Sequence, residues 1–392
     1  MPLLFPSNGR PRRMKTEFDA IVIGAGVAGS SMAYSMAKQG WQVALIDKEM
    51  FPRHKACGEF LSPESLGTLR ALELDGVVAS YEPSLITTVR LHTERGVSLA
   101  IPLAGPAMGL SRHVLDAGIQ QAAQRKGVSV YIGRTATNVT NNSNGHHVEL
   151  SSKDGKSQLY ARTVIAAWGR RPLHGFQASR QKANNRAFVG IKSHYSRSDS
   201  DPAVDLYFFQ GGYIGISPIE GGRLNVAALL SNTAFKKLGG TDAIPTILKR
   251  AIERIPALQR RIEHEIVVSG SQSATFPVKI QPKPNGWSGI PCIGDAVAVI
   301  PPFCGDGMAM ALRSVELCAP LANSYLLGDC AYTKWREVYT GLIRQQFSST
   351  LRWGSLLERL LSNSMLSSWL LRLGSIAPAT AEKLVRATRL RG

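Results

Sequence analysis

Apolar residues along this chain keep three rhythms, and each predicts a different element. Ala20 to Ile23 is an unbroken apolar run and Trp41 to Ile46 a second buried-type strand, the mark of parallel strands covered on both faces. Between them, Ser30 to Gln39 carries apolar residues at helical spacing and is stopped by Gly40. Phe188 to Leu230 alternates apolar and polar positions around Gly-Gly pairs, which predicts antiparallel strands. Tyr131 to Val139 reads as one further strand, and Ile290 to Ile293 as a short one with Pro291 near its start. Leu351 to Leu373 returns to helical spacing, with Trp353, Leu357, Leu361, Met365, Trp369 and Leu373 on its stripe.

Composition narrows the partners more than the fold. The 392 residues suit two or three domains or one large α/β unit, and 44% hydrophobic against 19% charged residues excludes global disorder. Forty-six Lys and Arg against 28 acids give +18, a balance that favours anions: phosphorylated cofactors or acidic lipid surfaces. Basic pairs such as Arg12-Arg13 and Arg260-Arg261 lack interleaved aromatics, so no nucleic-acid partner is expected. The five cysteines have no metal-type spacing with His, so no metal site is expected, and their odd number points to reduced thiols and a cytoplasmic setting. The N-terminal stretch has no apolar core of the kind a signal peptide needs, and no run of apolar residues is long enough to span a bilayer. His146 and His147 fall in the polar stretch NNSNGHH and are expected to be solvated.

The first strand-helix-strand unit carries chemistry. Gly24-Ala25-Gly26-Val27-Ala28-Gly29 joins the strand to the helix. Gly24 permits the tight turn, Gly26 lets backbone N–H groups approach a pyrophosphate, and Gly29 lets the helix pack closely on the strand. The helix N-terminus then faces the anion. Asp47 closes the second strand 18 residues after Gly29, where a carboxylate can accept from a ribose hydroxyl. These signals predict a dinucleotide without choosing between FAD and NAD. Far downstream, Gly294-Asp295 precedes two prolines, Gly305-Asp306-Gly307 and an amphipathic helix from Met308, a second anion site.

Gly294, Asp295, Ala296, Pro301, Pro302, Gly305 and Gly307 fit the pattern G-D-A-x(4)-P-P-x-x-G-x-G. The chain thereby resembles the flavoprotein monooxygenase superfamily, in the branch of geranylgeranyl reductases and flavin-dependent halogenases. Pro52 to Glu59, PRHKACGE, resembles the P-R-x-K-x-C-G segment of the reductase branch, which lies along the FAD. The resemblance implies FAD as cofactor. It implies that Asp295 meets the ribityl or pyrophosphate region, and that Pro301 and Pro302 line the ring. Gly307 and Met308 would turn their amides to the flavin carbonyl edge. Lys48, Arg53 and Lys55 fall among the phosphate and ribose contacts, and Cys57 and Gly58 near the ring. Arg112, after a helix cap at Ser111, and the small Ala136 fall at matching cofactor positions. The catalytic residues stay open; Cys57, Tyr213 and Cys304 are the candidates.

Four positions depart from the pattern. Trp168 stands where the superfamily has an Asp tied to FAD and pyridine-nucleotide handling, and an indole only donates hydrogen bonds. Direct reduction by NAD(P)H is therefore in doubt, and a partner reductase is the other electron donor. Ala298 stands where hydroxylases often carry His. Tyr213 and Gly215 replace the two tryptophans of the halogenases, which excludes halogenation.

The expected fold is α/β. A Rossmann-like FAD-binding domain of the glutathione reductase type would use residues 15–80, 105–175 and 280–345. An inserted β-rich substrate domain would use 81–104 and 176–279, and a C-terminal helical region 346–392. The expected function is that of an FAD-dependent oxidoreductase on a hydrophobic small molecule, as a monooxygenase or, alternatively, a reductase of carbon–carbon double bonds. A flavin-bound membrane- or partner-binding protein is a third reading. The stripe of residues 351–373 is expected to pack mostly inward, with Arg386, Arg389 and Arg391 free to meet lipid phosphates at a membrane periphery.

Overall fold

The computed structural model describes residues 16–142, 145–176, 187–196, 201–281, 283–376, 389 and 390. The chain opens with β1 (Glu17–Ile23), α1 (Val27–Lys38), β2 (Val43–Asp47), β3 (Phe60–Leu61), α2 (Pro63–Ala71) and α3 (Asp75–Ala79). It continues with β4 (Ser84–Thr93), β5 (Ser98–Gly109), α4 (Arg112–Arg125), β6 (Ser129–Ile132), β7 (Thr135–Asn142), β8 (Gly145–Ser152) and β9 (Gly155–Ala166). Then come β10 (Phe188–Ser196), β11 (Ala203–Phe209), β12 (Gly212–Ile219), β13 (Arg223–Ser231), α5 (Asn232–Lys237), α6 (Ile244–Ile252), α7 (Pro256–Ile262) and β14 (Ser273–Val278). The hairpin β15 (Trp287–Ser288) and β16 (Ile290–Pro291) leads into α8 (Gly307–Leu327), α9 (Tyr332–Leu361) and α10 (Ser364–Ile376).

Two sheets organise these elements. The first has the order β6-β2-β1-β9-β8-β7, parallel from β6 to β9 and antiparallel through the β7-β8-β9 meander. Its central strands are buried on both faces, as their unbroken apolar runs require. α1, α4 and α8 share their core with it, as do Trp335, Tyr339, Ile343 and Phe347 of α9. The second sheet has the order β14-β10-β13-β12-β11-β4-β5-β3. One face packs under α6 and α7; the other meets α9 and α10 through Leu357, Leu361 and Leu371. Loops leaving the first sheet therefore run along the inner face of the second.

Several expectations need correction. Tyr131 to Val139 is two strands, because the chain breaks at Gly133 (φ +71°) between β6 and β7. His146 is buried, not solvated: it pairs within β8, and its ring approaches Tyr332. α9 is one continuous helix from Tyr332, with no break near 345.

The C-terminal stripe divides at Ser362. On α9 it is core, with Leu351, Leu357 and Leu361 buried, although Trp353 and Leu356 remain exposed. On α10 the helix turns its larger apolar face outward. Met365, Leu366, Trp369, Leu373 and Ile376 are exposed, while Ser367, Ser368 and Leu371 face in. Inward packing here uses the smaller side chains. Arg389 is not free for lipid either: it is only 12% exposed, and it holds the fully buried Asp306 at 2.7 Å. Arg12, Arg13, Arg386 and Arg391 lie outside the described residues.

Candidate functional site

The glycine-rich turn is built as its chemistry demands. Gly24 has φ +111°, and a Cβ there would fall 2.3 Å from the Ala167 carbonyl oxygen. A Cβ on Gly29 would fall 1.7 Å from the oxygen of Gly24, so a side chain at Gly24 would push the turn off the segment after β9 and one at Gly29 would push α1 off the turn. Asp47 stabilises the turn from the end of β2. It accepts from the backbone N–H of Ala25 (2.8 Å) and of Glu49 (2.9 Å), and Arg53 donates to it at 3.3 Å.

A trough of three joined cavities starts at this turn. Its outer arm is bordered by Gly24, Gly26, Asp47, Lys48, Arg53 and Ala136. Its middle lies between the N-termini of α1 and α8. Gly26, Ala28 and Gly29 border it on one side, Gly307 and Met308 on the other, with Cys57, Gly58, Arg112, Asp295 and Pro302 between. Its inner arm runs under the second sheet past Cys57, Gly58, Pro302 and Cys304, walled by Ile191, Val204, Leu206, Tyr213, Leu229 and Val278. The cofactor positions expected from sequence, Pro301 excepted, thus border these three adjoining cavities, although the chain separates them by up to 284 residues (Gly24 to Met308).

The electrostatics change along the trough. The outer and middle parts collect Arg53, Lys55, Arg112, Arg134, Arg170 and Arg171 against few carboxylates. Arg112 is buried at the start of α4, behind the Ser111 cap, and makes a bidentate pair with Asp116 at 2.6 and 2.8 Å. Burial would lower its pKa, but Asp116 outweighs burial and raises it, fixing the charge. Lys55 is only partly paired; desolvation first, and then Arg112, pull it down to about 8. The inner arm, by contrast, is mostly aliphatic. Burial pushes the Tyr213 hydroxyl and the Cys304 thiol far up, so both stay neutral and protonated.

The residues present fit an FAD. Side-chain-free positions and a helix N-terminus stand where a pyrophosphate needs close backbone approach, and fixed cations surround them. The position of Trp168 puts an indole against Phe176, with centroids 5.5 Å apart, on the wall of the outer arm.

Sequence reasoning missed two features. Arg170 borders all three cavities and pairs with Asp295 at 3.3 Å, but an Arg-Arg pair after a glycine carries no motif signal. The second is a fully buried ionic cluster of Glu59, Lys192 and His194 beside the middle cavity. Lys192 and His194 sit on alternate positions of β10, where polar residues read as a solvent face. Among the described residues no group of side chains is arranged to hold a metal ion, and no helix is long and apolar enough to cross a membrane.

The FAD binding domain family matches residues 17–326. Menaquinone reductase of Mycolicibacterium smegmatis is 27% identical over 407 residues, covering 97% of this chain and 92% of that protein. Digeranylgeranylglycerophospholipid reductase 2 of Methanopyrus kandleri is 24% identical over 346 residues, covering 86% and 85%. Among solved structures, the myxobacterial chondrochloren halogenase CndH superposes with a TM-score of 0.76 at 21% identity, over 90% of this chain and 86% of that one. The flavin-dependent brominase Bmp2 gives 0.75 at 19% identity, over 95% and 93%. At such identities the structures establish the fold.

Proposed function

The chain belongs to the FAD-binding domain family and is an FAD-dependent oxidoreductase, and from that premise we propose that it reduces a carbon–carbon double bond in an unsaturated, prenyl-type lipid at a membrane surface. The observation that carries this reading is the inner arm. Its walls are aliphatic side chains of β10 to β14, with few polar groups to orient a polar aromatic substrate. The relatives that cover most of the chain are named as reductases, one of a menaquinone and one of a glycerophospholipid.

Bound FAD, once reduced, supplies a hydride equivalent. The protein's part is positional. The α1 N-terminus and Gly26 take the pyrophosphate, and the Pro302 turn with Gly307 sets the floor of the site. The inner arm excludes water and aligns the lipid chain. Cys57 borders both the middle cavity and the inner arm, so its thiol is placed to hand a proton to the carbon that does not receive the hydride. Trp168 offers no acceptor for a pyridine nucleotide, which favours electrons from a partner reductase.

The outward face of α10 supports the membrane part. Trp369, Leu373 and Ile376 are 64%, 57% and 79% exposed on one side of the helix. Arg352, Arg359 and Arg372 lie exposed along the same two helices. An aromatic and apolar face with basic residues suits an anionic lipid interface. Co-sedimentation with anionic vesicles is expected at low salt and should weaken as salt rises, since exposed charges are screened over ~10 Å at 0.1 M. Replacing Trp369 and Leu373 by Ser should abolish it while leaving flavin content unchanged.

The reaction itself is tested by mixing anaerobically reduced protein with candidate prenyl lipids and weighing the product. Gain of two hydrogens supports the proposal. A product formed only in air and heavier by an oxygen atom would overturn it in favour of oxygen insertion, the other reaction expected from sequence.

A further inference from the structure

Glu59, Lys192 and His194 are 0, 0 and 1% exposed, and three short contacts join four of their polar atoms. Lys192 Nζ lies 2.6 Å from Glu59 Oε1 and 2.7 Å from His194 Nε2, and that same Nε2 lies 2.7 Å from Glu59 Oε2. With Lys192 an ammonium and Glu59 ionised, no fixed set of protons satisfies all three contacts. If Nε2 accepts from the Lys192 ammonium, its approach to an ionised Glu59 Oε2 sets lone pair against lone pair. If Nε2 carries a proton and donates to Glu59, its contact with an ammonium sets proton against proton. The geometry is that of groups sharing a proton that moves.

The surroundings hold the cluster near that balance. Glu59 sits in the left-handed region (φ +55°), where a residue with a side chain stays only if its neighbours fix it. The Arg112 backbone N–H donates to its Oε1 at 2.9 Å. Burial raises the Glu59 carboxyl, but His194 and Lys192 outweigh burial and keep it low. Burial lowers Lys192, against the charge of Glu59. His194 Nδ1 is buried without a partner, so the tautomer with a proton there leaves a donor unsatisfied.

The cluster also has an outlet. His54 Nδ1 is 3.4 Å from Lys192 Nζ, and the ring is stacked on His113 at 4.4 Å. His54 borders the outer arm of the trough, and Glu59 the middle cavity. Burial, then Lys192 and the two other histidines, pull His54 down to about 4, so it is a neutral carrier at physiological pH. His113 is lowered by burial and Lys192, with Glu220 opposing and Arg223 assisting more weakly. Toward the inner arm, Cys57 Sγ accepts from the Glu59 N–H at 3.4 Å.

We propose that Glu59, Lys192 and His194, with His54 as their outlet, form a proton store that loads from solvent when the bound flavin is reduced. Reduction brings negative charge into a water-poor site, and a nearby cluster with a shared proton responds by binding one more. If the reduction reading above holds, that proton is the one the double bond needs. The π bond breaks, one carbon takes the hydride, the other takes a proton from Cys57, and Lys192, near enough for its charge to act on Cys57, returns a proton to the thiolate. The loading step does not rest on that reading, because it needs no substrate.

The test is the midpoint potential of the FAD-loaded full chain as a function of pH, without substrate. The slope counts protons bound per two electrons, while the absorbance of the reduced flavin reports protonation of the flavin itself. The expected result is one proton near neutral pH that the flavin spectrum does not account for, and its loss in Lys192→Met. A wild-type slope fully explained by the flavin spectrum would overturn the proposal, whether or not Lys192→Met folds. So would a Lys192→Met variant that folds, binds FAD and keeps the extra proton, since a purely structural staple would not move the count. His54→Gln should leave the count intact and slow proton uptake at least tenfold in stopped-flow with a pH dye. An unchanged rate would remove His54 as the outlet.

Discussion

The outer and inner arms of the trough are built on opposite plans. The outer arm uses backbone: a glycine turn, a helix N-terminus and carboxylates at strand ends, all from the first sheet and its loops. The inner arm uses side chains: an aliphatic wall from the second sheet, with no short motif in it. The difference follows from what each is proposed to hold. A pyrophosphate is one rigid anion, and few backbone arrangements bind it. A lipid chain asks only for dry volume of suitable shape, which many residue combinations supply. The two arms should therefore fail separately.

Gly26→Val should separate them most sharply. A Cβ at Gly26 already lies 3.4 Å from the Arg112 guanidinium, and the two further methyl groups would occupy the pyrophosphate position. Flavin content should fall at least tenfold, ~1.4 kcal/mol or more, with the circular dichroism unchanged. Asp47→Ala should be milder. It removes the acceptor of the Ala25 N–H and the expected ribose contact, and should weaken FAD binding by roughly 1.5–3 kcal/mol in a titration of the apoprotein.

Ala227→Phe addresses the other arm. Ala227 borders the inner cavity, so a phenyl ring there should exclude lipid, costing roughly 1–3 kcal/mol of lipid binding. A full complement of flavin should remain, and lost flavin would show that the arms are not independent. The smallest effect is a slope with pH. Without a bound anion Lys55 stands at about 8, lowered by burial first and then by Arg112. A bound pyrophosphate favours its ammonium form, so binding takes up a proton above that pH. FAD affinity should be flat below pH 8 and fall as pH rises past it, by at most about tenfold per unit. Lys55→Met should bind more weakly but lose the slope, and a slope that survives would assign it to another group.

The same contrast explains what could be read from the chain. β1, α1 and β2 were legible because a buried parallel strand, a glycine turn and a terminal Asp are local signals within 31 residues (Glu17 to Asp47). The Pro301–Gly307 segment was legible for the same reason. Lys192 and His194 were not, because their partner Glu59 lies 133 and 135 residues away. On a strand reading Ile191, Lys192, Ser193, His194, Tyr195, alternate polar residues imply water, whereas both faces of this sheet are covered. The outward turn of α10 was hidden likewise. Its residues are apolar on more than one side, so spacing alone does not say that Ser367, Ser368 and Leu371 face in. Arg389 finds Asp306 across 83 residues, and no periodicity records that.

The Glu59 staple sets a rule for recombination. Glu59 ends the loop that joins β2 of the first sheet to β3 of the second, while Lys192 and His194 belong to β10. A chimera that exchanged the second sheet without position 59 would leave buried charge unmatched, and breaking such a pair typically costs about 3–5 kcal/mol. The unit to exchange is then a strand together with one distant carboxylate, and grafts that move the two together are the ones that should stay folded.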